Sequence, residues 1–399
     1  MHIRVLTPDD HAAHCRVSSL AFHWQLKLEE ESFPTDVSML GYFADDGELI
    51  AELEFSTREV WFGTKTLPIV CVGGVASVPH RRREGAVRRL FEELERLAPQ
   101  NNWILGGLYP FKTKYYRQFG YESVVDYVQT VVPLPQLDDL AARSPKDMGR
   151  MELMEGDAHL PELLDVYNTY ARSHYLMFKR TDGKMFGLDP TGECKYTCLW
   201  RDQNGAAQGY MSYQLNLGVQ QLQVSEIAAL TPDALRGMLC YLRGYASKVK
   251  EVLFFTLPAN SPVFSMLNEN RAMQMCYQPN TSVRIYDFKA FLAARTYPKQ
   301  AGRFSFAITD DTLAANNRTY HVAYQDGVAQ LLPAGDIAPA LTLDRAAAAL
   351  VMLSGKAFTP FALQCADSVT LSQNPNAQNE IDDFLRAFAG QSPECFDSF

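Results

Sequence analysis

The sequence predicts an α+β protein that is divided into two or three domains. The chain has 399 residues, which is more than one ordinary domain contains. Its first third places a helix, an antiparallel hairpin, a buried strand, a second helix and another strand in succession, an order typical of α+β folds. Hydrophobic residues make up 47% and charged residues 21% of the chain, so we expect folded domains rather than disorder.

The chain opens with a predicted strand and a predicted helix. Residues 3–6 are mostly apolar, and Thr7-Pro8-Asp9-Asp10 is typical of a helix start because proline is favoured in the first helical turn. This helix should extend to about Phe22, with His11 and His14 on its surface or at its edge. Neither histidine has sequence neighbours that indicate a metal site.

An antiparallel hairpin comes before the central strand. Residues 39–44 and 49–57 are rich in apolar residues, and Asp45-Asp46-Gly47-Glu48 between them is a strong turn signal. Residues 103–108 are expected to form the strand that follows the central helix.

The chain is organised around a strand, a turn and a helix. Residues 69–78 are an apolar run that indicates a buried strand, and residues 85–98 have helical periodicity. One helical face is apolar and should pack against the sheet; it contains Ala86, Val87, Leu90, Phe91, Leu94 and Leu97. The other face is charged, with two expected ion pairs one turn apart, Arg88 with Glu92 and Arg89 with Glu93.

The turn between this strand and this helix is basic. Arg82-Arg83-Glu84-Gly85 places backbone N–H groups and cationic side chains at a helix N-terminus, where the helix dipole favours an anion. Gly85 has no side chain, so the backbone can approach phosphate oxygens closely. Basic runs of this length are usually solvated turns, but the position between a buried strand and a helix favours a diphosphate site.

This segment resembles the pyrophosphate loop of the GNAT N-acetyltransferases. The usual pattern of that loop is Gln/Arg-x-x-Gly-x-Gly/Ala, and Arg82-Arg83-Glu84-Gly85-Ala86-Val87 follows it except at the last position. A bulky residue at that position is similar to the Eis (enhanced intracellular survival) branch. The resemblance implies acetyl-CoA as the acyl donor, with no metal ion.

Two further features resemble the Eis branch. Tyr116-Arg117-Gln118-Phe119-Gly120-Tyr121 is similar to the Tyr-x-x-Phe-Gly-Tyr segment that supplies the catalytic tyrosine, and it keeps the family's separation from the loop. The sequence ends at Phe399, and Eis-like enzymes end in an aromatic residue whose terminal carboxylate enters the active site. The resemblance therefore implies Tyr116 as the general acid and the Phe399 carboxylate as the general base.

Acetyl transfer to an amine needs a proton acceptor for the amine, N–H donors for the oxyanion and a proton donor for the departing thiolate. A phenol with a pKa of about 10 stays protonated at neutral pH, and the register of the motif favours Tyr116 over Tyr115. A terminal carboxyl has a pKa of about 3.5 and needs desolvation to act as a base. Chain ends are usually frayed, so only the resemblance supports this role. No histidine or glutamate of the first domain is marked as a base by its spacing.

The expected cofactor contacts lie on the strand, the turn and the segment before Tyr116. The strand backbone should supply oxyanion donors where it leaves its neighbour, and the complete set is Val75, Ala76, Ser77, Arg82, Arg83, Glu84, Gly85, Ala86, Val87, Arg88, Phe111 and Lys112. Lys112 departs from the acidic residue of some family members. Phe22 and Trp24 are candidates for the substrate pocket, although aromatic clusters more often belong to cores.

A second α+β unit follows a proline-rich stretch that ends at Pro145. Its predicted elements are a helix over 161–175, strands over 196–200, 209–217 and 224–230, a helix over 232–247 and a closing strand over 282–286. The order repeats that of the first domain. The equivalent turn, Ala228-Ala229-Leu230-Thr231-Pro232-Asp233, has no arginine and no glycine, and Asp233 would repel a diphosphate. We interpret this unit as a degenerate GNAT-like domain that binds no cofactor.

The remaining chain is predicted to form a third α+β unit. A connecting helix over 288–295 precedes strands over 304–308, 321–324 and 328–332 and helices over 342–353 and 380–388. The layout is similar to the sterol-carrier-like C-terminal domain of Eis proteins, without a specific motif. The predicted domains are 1–145 (GNAT acetyltransferase), 146–295 (degenerate GNAT-like) and 296–399 (sterol-carrier-like).

Charge and cysteine content argue against several functions. The formal charge of −9 argues against a nucleic-acid surface. The eight cysteines contain no CxxC pair and no zinc-like spacing, and Cys71, which is near the proposed site, lies in an apolar strand where a thiol is ordinarily inert. No apolar run reaches membrane-spanning length, and the N-terminus lacks a secretory segment, so we expect a cytoplasmic protein.

The leading hypothesis is an acetyl-CoA-dependent N-acetyltransferase. Its acceptor would be a primary amine of a small cationic molecule, aminoglycoside-like or polyamine, or a lysine side chain. The alternatives are a protein that senses acetyl-CoA or binds an apolar ligand without acetyl transfer, and a structural or regulatory pseudo-enzyme. Presence of both the arginine turn and Tyr116 favours the enzyme. The Eis resemblance also implies a homo-oligomer, a hexamer; the acceptor amine cannot be read from the sequence.

Overall fold

The computed structural model describes residues 1–23, 32–188, 195–333, 338–366, 368–390 and 393–397. Three mixed sheets of eight, seven and five strands organise these residues, with helices packed against them, which confirms the predicted α+β class. The helices are His11–Phe22 (α1), Ala86–Leu97 (α2), Thr113–Arg117 (α3), Pro135–Ala142 (α4), Leu160–Ala171 (α5), Pro232–Leu242 (α6), Val263–Met266 (α7), Phe288–Ala294 (α8), Arg345–Leu353 (α9), Pro360–Gln364 (α10) and Gln378–Phe388 (α11).

The first sheet is built on a long antiparallel hairpin formed by its third and fourth strands. Its strands are His2–Val5 (β1), Ser38–Phe43 (β2), Leu49–Phe62 (β3), Lys65–Ser77 (β4), Leu105–Leu108 (β5), Glu122–Ser123 (β6), Tyr175–Phe178 (β9) and Ser282–Ile285 (β15). Their order is β1-β2-β3-β4-β5-β15-β6, and β9 pairs with β3. The predicted hairpin turn at Gly47 is present, with the glycine at a φ of +85° that favours glycine.

The second sheet begins before the predicted domain boundary. Its strands are Asp126–Pro133 (β7), Arg150–Leu153 (β8), Lys195–Arg201 (β10), Ala207–Asn216 (β11), Gln221–Ala229 (β12), Glu251–Leu257 (β13) and Gln274–Pro279 (β14), in the order β14-β7-β13-β12-β11-β10-β8. Sheet membership therefore changes at residue 126 rather than at 145, because β7 pairs with β13 and β14.

Strand β15 belongs to the first sheet and not to the second, where it was expected. Residues 282–286 were expected to close the second unit, but β15 pairs with β5 and β6 in the first sheet. The prediction was wrong because strand pairing depends on long-range contacts that local patterning does not contain. The whole-chain ranges 1–145, 146–295 and 296–399 stay predictions.

The third sheet contains Gly302–Thr309 (β16), Thr319–Gln325 (β17), Val328–Leu332 (β18), Leu341–Asp344 (β19) and Val369–Leu371 (β20), in the order β18-β17-β16-β19-β20. Residues 342–344, expected to be helical, extend β19 beside β16. The helix α9 begins only at Arg345, because the Asp344 side chain accepts a hydrogen bond from the Ala347 N–H and caps it.

A buried ion network joins the first and third sheets. Arg284 of β15 is fully buried and pairs with Glu95 of α2 and with Asp310, while Arg345 of α9 also pairs with Asp310. Burial alone would raise the pKa of Asp310, but the Arg284 charge and several hydrogen bonds lower it to about 2. The network fixes the third unit against the first.

Candidate active site

The site lies where two parallel strands separate. Residues 69–72 of β4 pair with residues 105–108 of β5. β4 then continues to Ser77, and no strand of the described residues pairs with it on that side. Val75, Ala76 and Ser77 all lie beyond the separation, and their contact with a cofactor stays a prediction. Backbone groups freed in this way can donate to a bound ligand.

A bulge marks the same part of β4. The pairing with β3 shifts register between Glu52 and Glu54, and Gly74 has a φ of +53°. A Cβ on Gly74 would lie only 2.5 Å from the Glu54 carboxyl carbon. Position 74 therefore requires glycine, because of both its backbone conformation and the lack of space for a side chain. The Glu54 side chain lies directly beside the bulge.

The basic turn leaves two arginines available. Arg81 is paired, because its Nε donates to both Glu84 carboxylate oxygens at 2.9 Å. Arg82 and Arg83 are exposed, and within the described ranges neither forms an ion pair. Glu84 is therefore neutralised locally, while two cationic side chains remain free to meet an anion.

The start of α2 also fits an anion. Gly85 is the N-cap with a φ of +84°, and no side chain caps the helix. An added Cβ at Gly85 would meet nothing within 4 Å, so glycine is needed for its conformation, and the space in front of the helix is open. The N–H groups of Ala86, Val87 and Arg88 have no partner within the helix, which is the arrangement that binds phosphate.

The exposed face of α2 differs from the expected pairing. Arg88 Nη2 donates to Gln118 Oε1 at 2.9 Å, and the ion pairs are Arg89 with Glu92 and Arg96 with Glu93. The predicted i,i+4 pairs are wrong because i,i+3 partners and a tertiary partner compete for the same guanidiniums. Arg88 instead connects the start of α2 to the segment that carries Tyr116.

Tyr116 lies on α3 within an aromatic cluster. Only 4% of the residue is exposed, and its ring centroid lies 6.1 Å from that of Phe91 and 5.4 Å from that of Phe111. Burial, with a contribution from Tyr115, raises the pKa of Tyr116 above its usual range. Its hydroxyl forms no hydrogen bond in the described part of the chain, so no described residue competes for its proton.

The segment before α3 is accessible to a ligand. Phe111 is 75% exposed although it contacts the Tyr115 and Tyr116 rings, and Lys112 is exposed at the N-cap of α3. Phe22, the last residue of α1, is half-buried against the first core. Trp24 lies outside the described residues.

Cys71 is an inert side chain. It is 2% exposed inside β4, and burial raises the pKa of its thiol well above its usual range. A thiolate is therefore strongly disfavoured at this position.

The chain end is anchored beside the strand separation. The Tyr109 hydroxyl, directly after β5, donates to the Asp397 carbonyl oxygen. Tyr127 donates to the Cys395 carbonyl oxygen and accepts from the Cys395 N–H at 2.8 Å. Phe399 itself lies outside the described residues, but the segment that leads to it is not frayed.

The second unit holds this segment through a buried ion cluster. Arg180 Nε donates to Asp397 Oδ1 at 2.8 Å, and its two Nη atoms donate to the Glu226 carboxylate at 2.9 and 3.0 Å. The Tyr167 hydroxyl lies 3.0 Å from Asp397 Oδ2. Burial raises the pKa of Asp397, and the Arg180 charge opposes that rise.

Sequence reasoning missed one group of polar residues. His14 and Ser18 of α1 are buried against Glu52 of β3, although His14 was expected on the surface or at the edge of its helix. The only available signal was the spacing, since His14 and Ser18 are one turn apart and Glu52 and Glu54 lie on one face of a strand.

Three parts of the chain match models of known protein families. Residues 2–124 and residues 176–285 each match a model of an acetyltransferase (GNAT) domain, and residues 288–396 match a sterol carrier protein domain. The chain belongs to the GNAT acetyltransferases. Its order of two GNAT domains and a sterol-carrier domain is Eis-like, as expected from the sequence. No curated protein matches the sequence at a significant level.

Solved structures share the fold of this GNAT acyltransferase over its whole length. A probable N-acyltransferase from Enterococcus faecalis V583 has 17% identity and a TM-score of 0.84, covering 100% of this chain and 99% of its own. A GCN5-related N-acetyltransferase from Kribbella flavida has 21% identity and a TM-score of 0.81, covering 100% and 98%. Eis1 from Mycobacterium abscessus has 21% identity and a TM-score of 0.80, covering 100% of both chains. At these identities the likeness concerns the fold.

GNAT domains in general use acetyl-CoA as the acyl donor. Among the described residues no group of three or more His, Cys, Asp or Glu side chains could hold a metal ion. The same residues include no helix that is long and apolar enough to cross a membrane.

Proposed function

We propose that this GNAT acyltransferase transfers the acetyl group of acetyl-CoA to a primary amine of a small cationic molecule or a lysine side chain. Three observations carry the proposal: the β4–β5 separation, an uncapped helix α2 whose two arginines form no ion pair among the described residues, and the buried Tyr116. An apolar-ligand sensor would not need the last of these.

Arg82, Arg83 and the first N–H groups of α2 would hold the diphosphate of the donor. Each charge-assisted hydrogen bond is stronger than a neutral one, and the helix dipole adds to the attraction. The backbone at Val75–Ser77 would hold the acetyl carbonyl oxygen. Bound acetyl-CoA supplies a thioester that an amine can attack.

Tyr116 would return a proton to the sulfur of the leaving group. Its raised pKa keeps the phenol protonated at neutral pH, and its hydroxyl is free of competing acceptors in the described structure. The Phe399 carboxylate is the proposed base, because Asp397 is fixed beside Tyr109 and two residues of chain reach roughly 7 Å further. Desolvation in the cleft would raise its pKa toward a useful value.

The experiment compares the native protein with two variants, all made without a C-terminal tag. One variant carries a few extra residues after Phe399, and the other lacks Ser398 and Phe399. Acetyl-CoA affinity is measured by calorimetry, and CoA release is measured with spermidine, kanamycin and a lysine peptide as acceptors.

Native protein should release CoA with at least one of these amines. Both variants should bind acetyl-CoA normally but lose turnover by roughly 10² or more, because an amide or a displaced carboxylate cannot accept the amine's proton. Full turnover of the extended protein would show that the base lies elsewhere. Failure of the native protein to bind acetyl-CoA would refute the function itself.

An Eis-like homo-oligomer, a hexamer, is also proposed. Its support is the shared three-part architecture with Eis1 over the full length of both chains. Sedimentation that showed only a monomer near the chain mass of 44.9 kDa would refute it.

A further inference from the structure

A buried acid–imidazole pair lies between α1 and the central hairpin. His14 Nδ1 lies 3.1 Å from Glu52 Oε1, and the Ser18 hydroxyl donates to the same oxygen at 2.9 Å. The Glu52 side chain is 1% exposed and the His14 side chain 9%. These groups are not solvent-screened, so their charges act strongly on whatever lies beside them.

Half of the Glu52 carboxylate lacks a partner. Both hydrogen bonds fall on Oε1, and Oε2 is buried without any hydrogen bond. Orphaned charged oxygens are costly in a protein interior and are retained mainly where they have a function. Glu52 Oε2 therefore keeps an unused acceptor in the interior among the described residues.

Glu54 is a second carboxyl group, and it lies beside the bulge of β4. It lies on the same strand face as Glu52 and is half-buried. Its carboxyl group is in contact range of Gly74, the residue immediately before the proposed carbonyl-binding backbone at Val75. If the backbone at Val75 holds the acetyl carbonyl oxygen, as proposed above, the Glu54 carboxylate lies beside the path of the attacking nitrogen.

Among the described residues, His14 is the one basic side chain that acts on these two carboxylates. Within the described ranges neither Glu52 nor Glu54 pairs with a lysine or arginine, and the groups that act on Glu54 are His14 of α1, Glu52 of β3 and Asp36 before β2. The hydrogen bond to Glu52 raises the pKa of His14, and burial, aided by Glu52 and Asp36, raises the pKa of Glu54. Among the described residues, the cluster therefore contains two carboxyl groups, of Glu52 and Glu54, and one imidazole, of His14.

We propose that Glu54, supported by the His14–Glu52 pair, is the subsite that binds the ammonium group of the acceptor and takes its first proton. The inference rests on the proposed function and names its acceptor class, an alkylammonium. Aromatic or neutral amines lack the charge that this subsite selects.

The subsite completes the proton balance. An alkylammonium loses two protons on the way to an amide, one before the nitrogen attacks and one after the N–C bond has formed. Glu54 takes the first, and the Phe399 carboxylate takes the second. The C–S bond breaks, and Tyr116 gives its proton to the sulfur. One of the two protons taken up by the carboxylates then returns to Tyr116, and the other is released to solvent, so each complete cycle releases one proton.

The test compares Glu54→Gln with Glu59→Gln. Glu59 lies on the same strand but is exposed and pairs with Lys179, so its variant controls for loss of one negative charge. Calorimetry measures the affinity of the native protein and both variants for spermidine, kanamycin and a lysine peptide, and for acetyl-CoA as a check of the fold.

Glu54→Gln should weaken amine binding about tenfold or more and leave acetyl-CoA binding unchanged, whereas Glu59→Gln should change neither. The turnover deficit of Glu54→Gln relative to the native protein should also shrink as the pH approaches about 10, where an alkylamine is itself becoming neutral. A purely structural role would not produce that pH recovery. If Glu54→Gln does not fold, Glu54→Asp keeps the charge but shortens the side chain, and it should bind amines more weakly.

Unchanged amine affinity in Glu54→Gln, or an equal loss in Glu59→Gln, overturns the proposal. Failure of all three amines to bind the native protein overturns it as well. Glu54-dependent amine binding in a protein that does not bind acetyl-CoA would support the subsite and refute only the proposed acetyl transfer.

Discussion

Replacing Arg180 by methionine should remove the buried ion pairs that hold Asp397 and destabilise the protein. The Arg180 side chain is 3% exposed, and its charge is opposed by Glu226 and Asp397, whose side chains are 6% and 1% exposed. Methionine fills much of the volume but leaves two buried carboxylates without a counter-charge. Breaking a buried pair in this way costs about 3–5 kcal/mol.

The assay is urea denaturation of the native and variant proteins, with Arg243→Met as the matched control. Arg243 pairs with Asp138 in the same second unit, but both side chains are 52% exposed, so its loss should cost no more than about 1 kcal/mol. Turnover of Arg180→Met should also fall while acetyl-CoA affinity stays unchanged, if the Phe399 carboxylate is the base as proposed, because Phe399 follows Asp397 by two residues. Similar small losses of stability in both variants would refute the reasoning.

Three further changes test other parts of the site and fold. Tyr116→Phe should lower turnover by roughly 10² or more and barely change acetyl-CoA affinity. A larger loss of turnover in Tyr115→Phe would identify Tyr115, and not Tyr116, as the general acid. Arg82→Ala with Arg83→Ala should weaken acetyl-CoA binding, measured by calorimetry, without lowering the melting temperature. Because the pKa of Asp310 is lowered to about 2, its stabilisation is complete above pH of about 4 and is lost as the pH falls toward 2; acid titration of Asp310→Asn should lack about 2 kcal/mol of this loss.

Local sequence signals were enough to find the central unit. The apolar run before Pro79 and the helical periodicity after Gly85 both describe short-range structure, and each corresponds to an observed element, β4 and α2. The turn residues also placed Arg82 and Arg83 at the helix start, because the glycine conformation there is a property of a few adjacent residues.

Features that depend on distant segments were not predictable in the same way. β15 enters the first sheet about 170 residues after β5, and no local pattern records that partner. The His14–Glu52 pair was missed for the same reason, since a histidine on a short helix resembles a surface residue until its neighbour is known. The Asp397 anchor likewise needs Arg180, which is distant in sequence.

The helix start in the second GNAT domain differs from that of α2 in the first. Its parallel strands β12 and β13 also separate, after Val224 and Phe254, but Thr231 caps the helix that follows, and Asp233 lies in its first turn. The cavity at that separation, about 210 Å³, is lined in part by Glu394 of the chain end. A capped, acidic helix start repels a diphosphate, and side chains of Glu394 and Phe396 line the cavity at this separation. We therefore expect one acetyl-CoA per chain by calorimetry, unchanged in Asp233→Ala; two sites would show that the second domain still binds the donor.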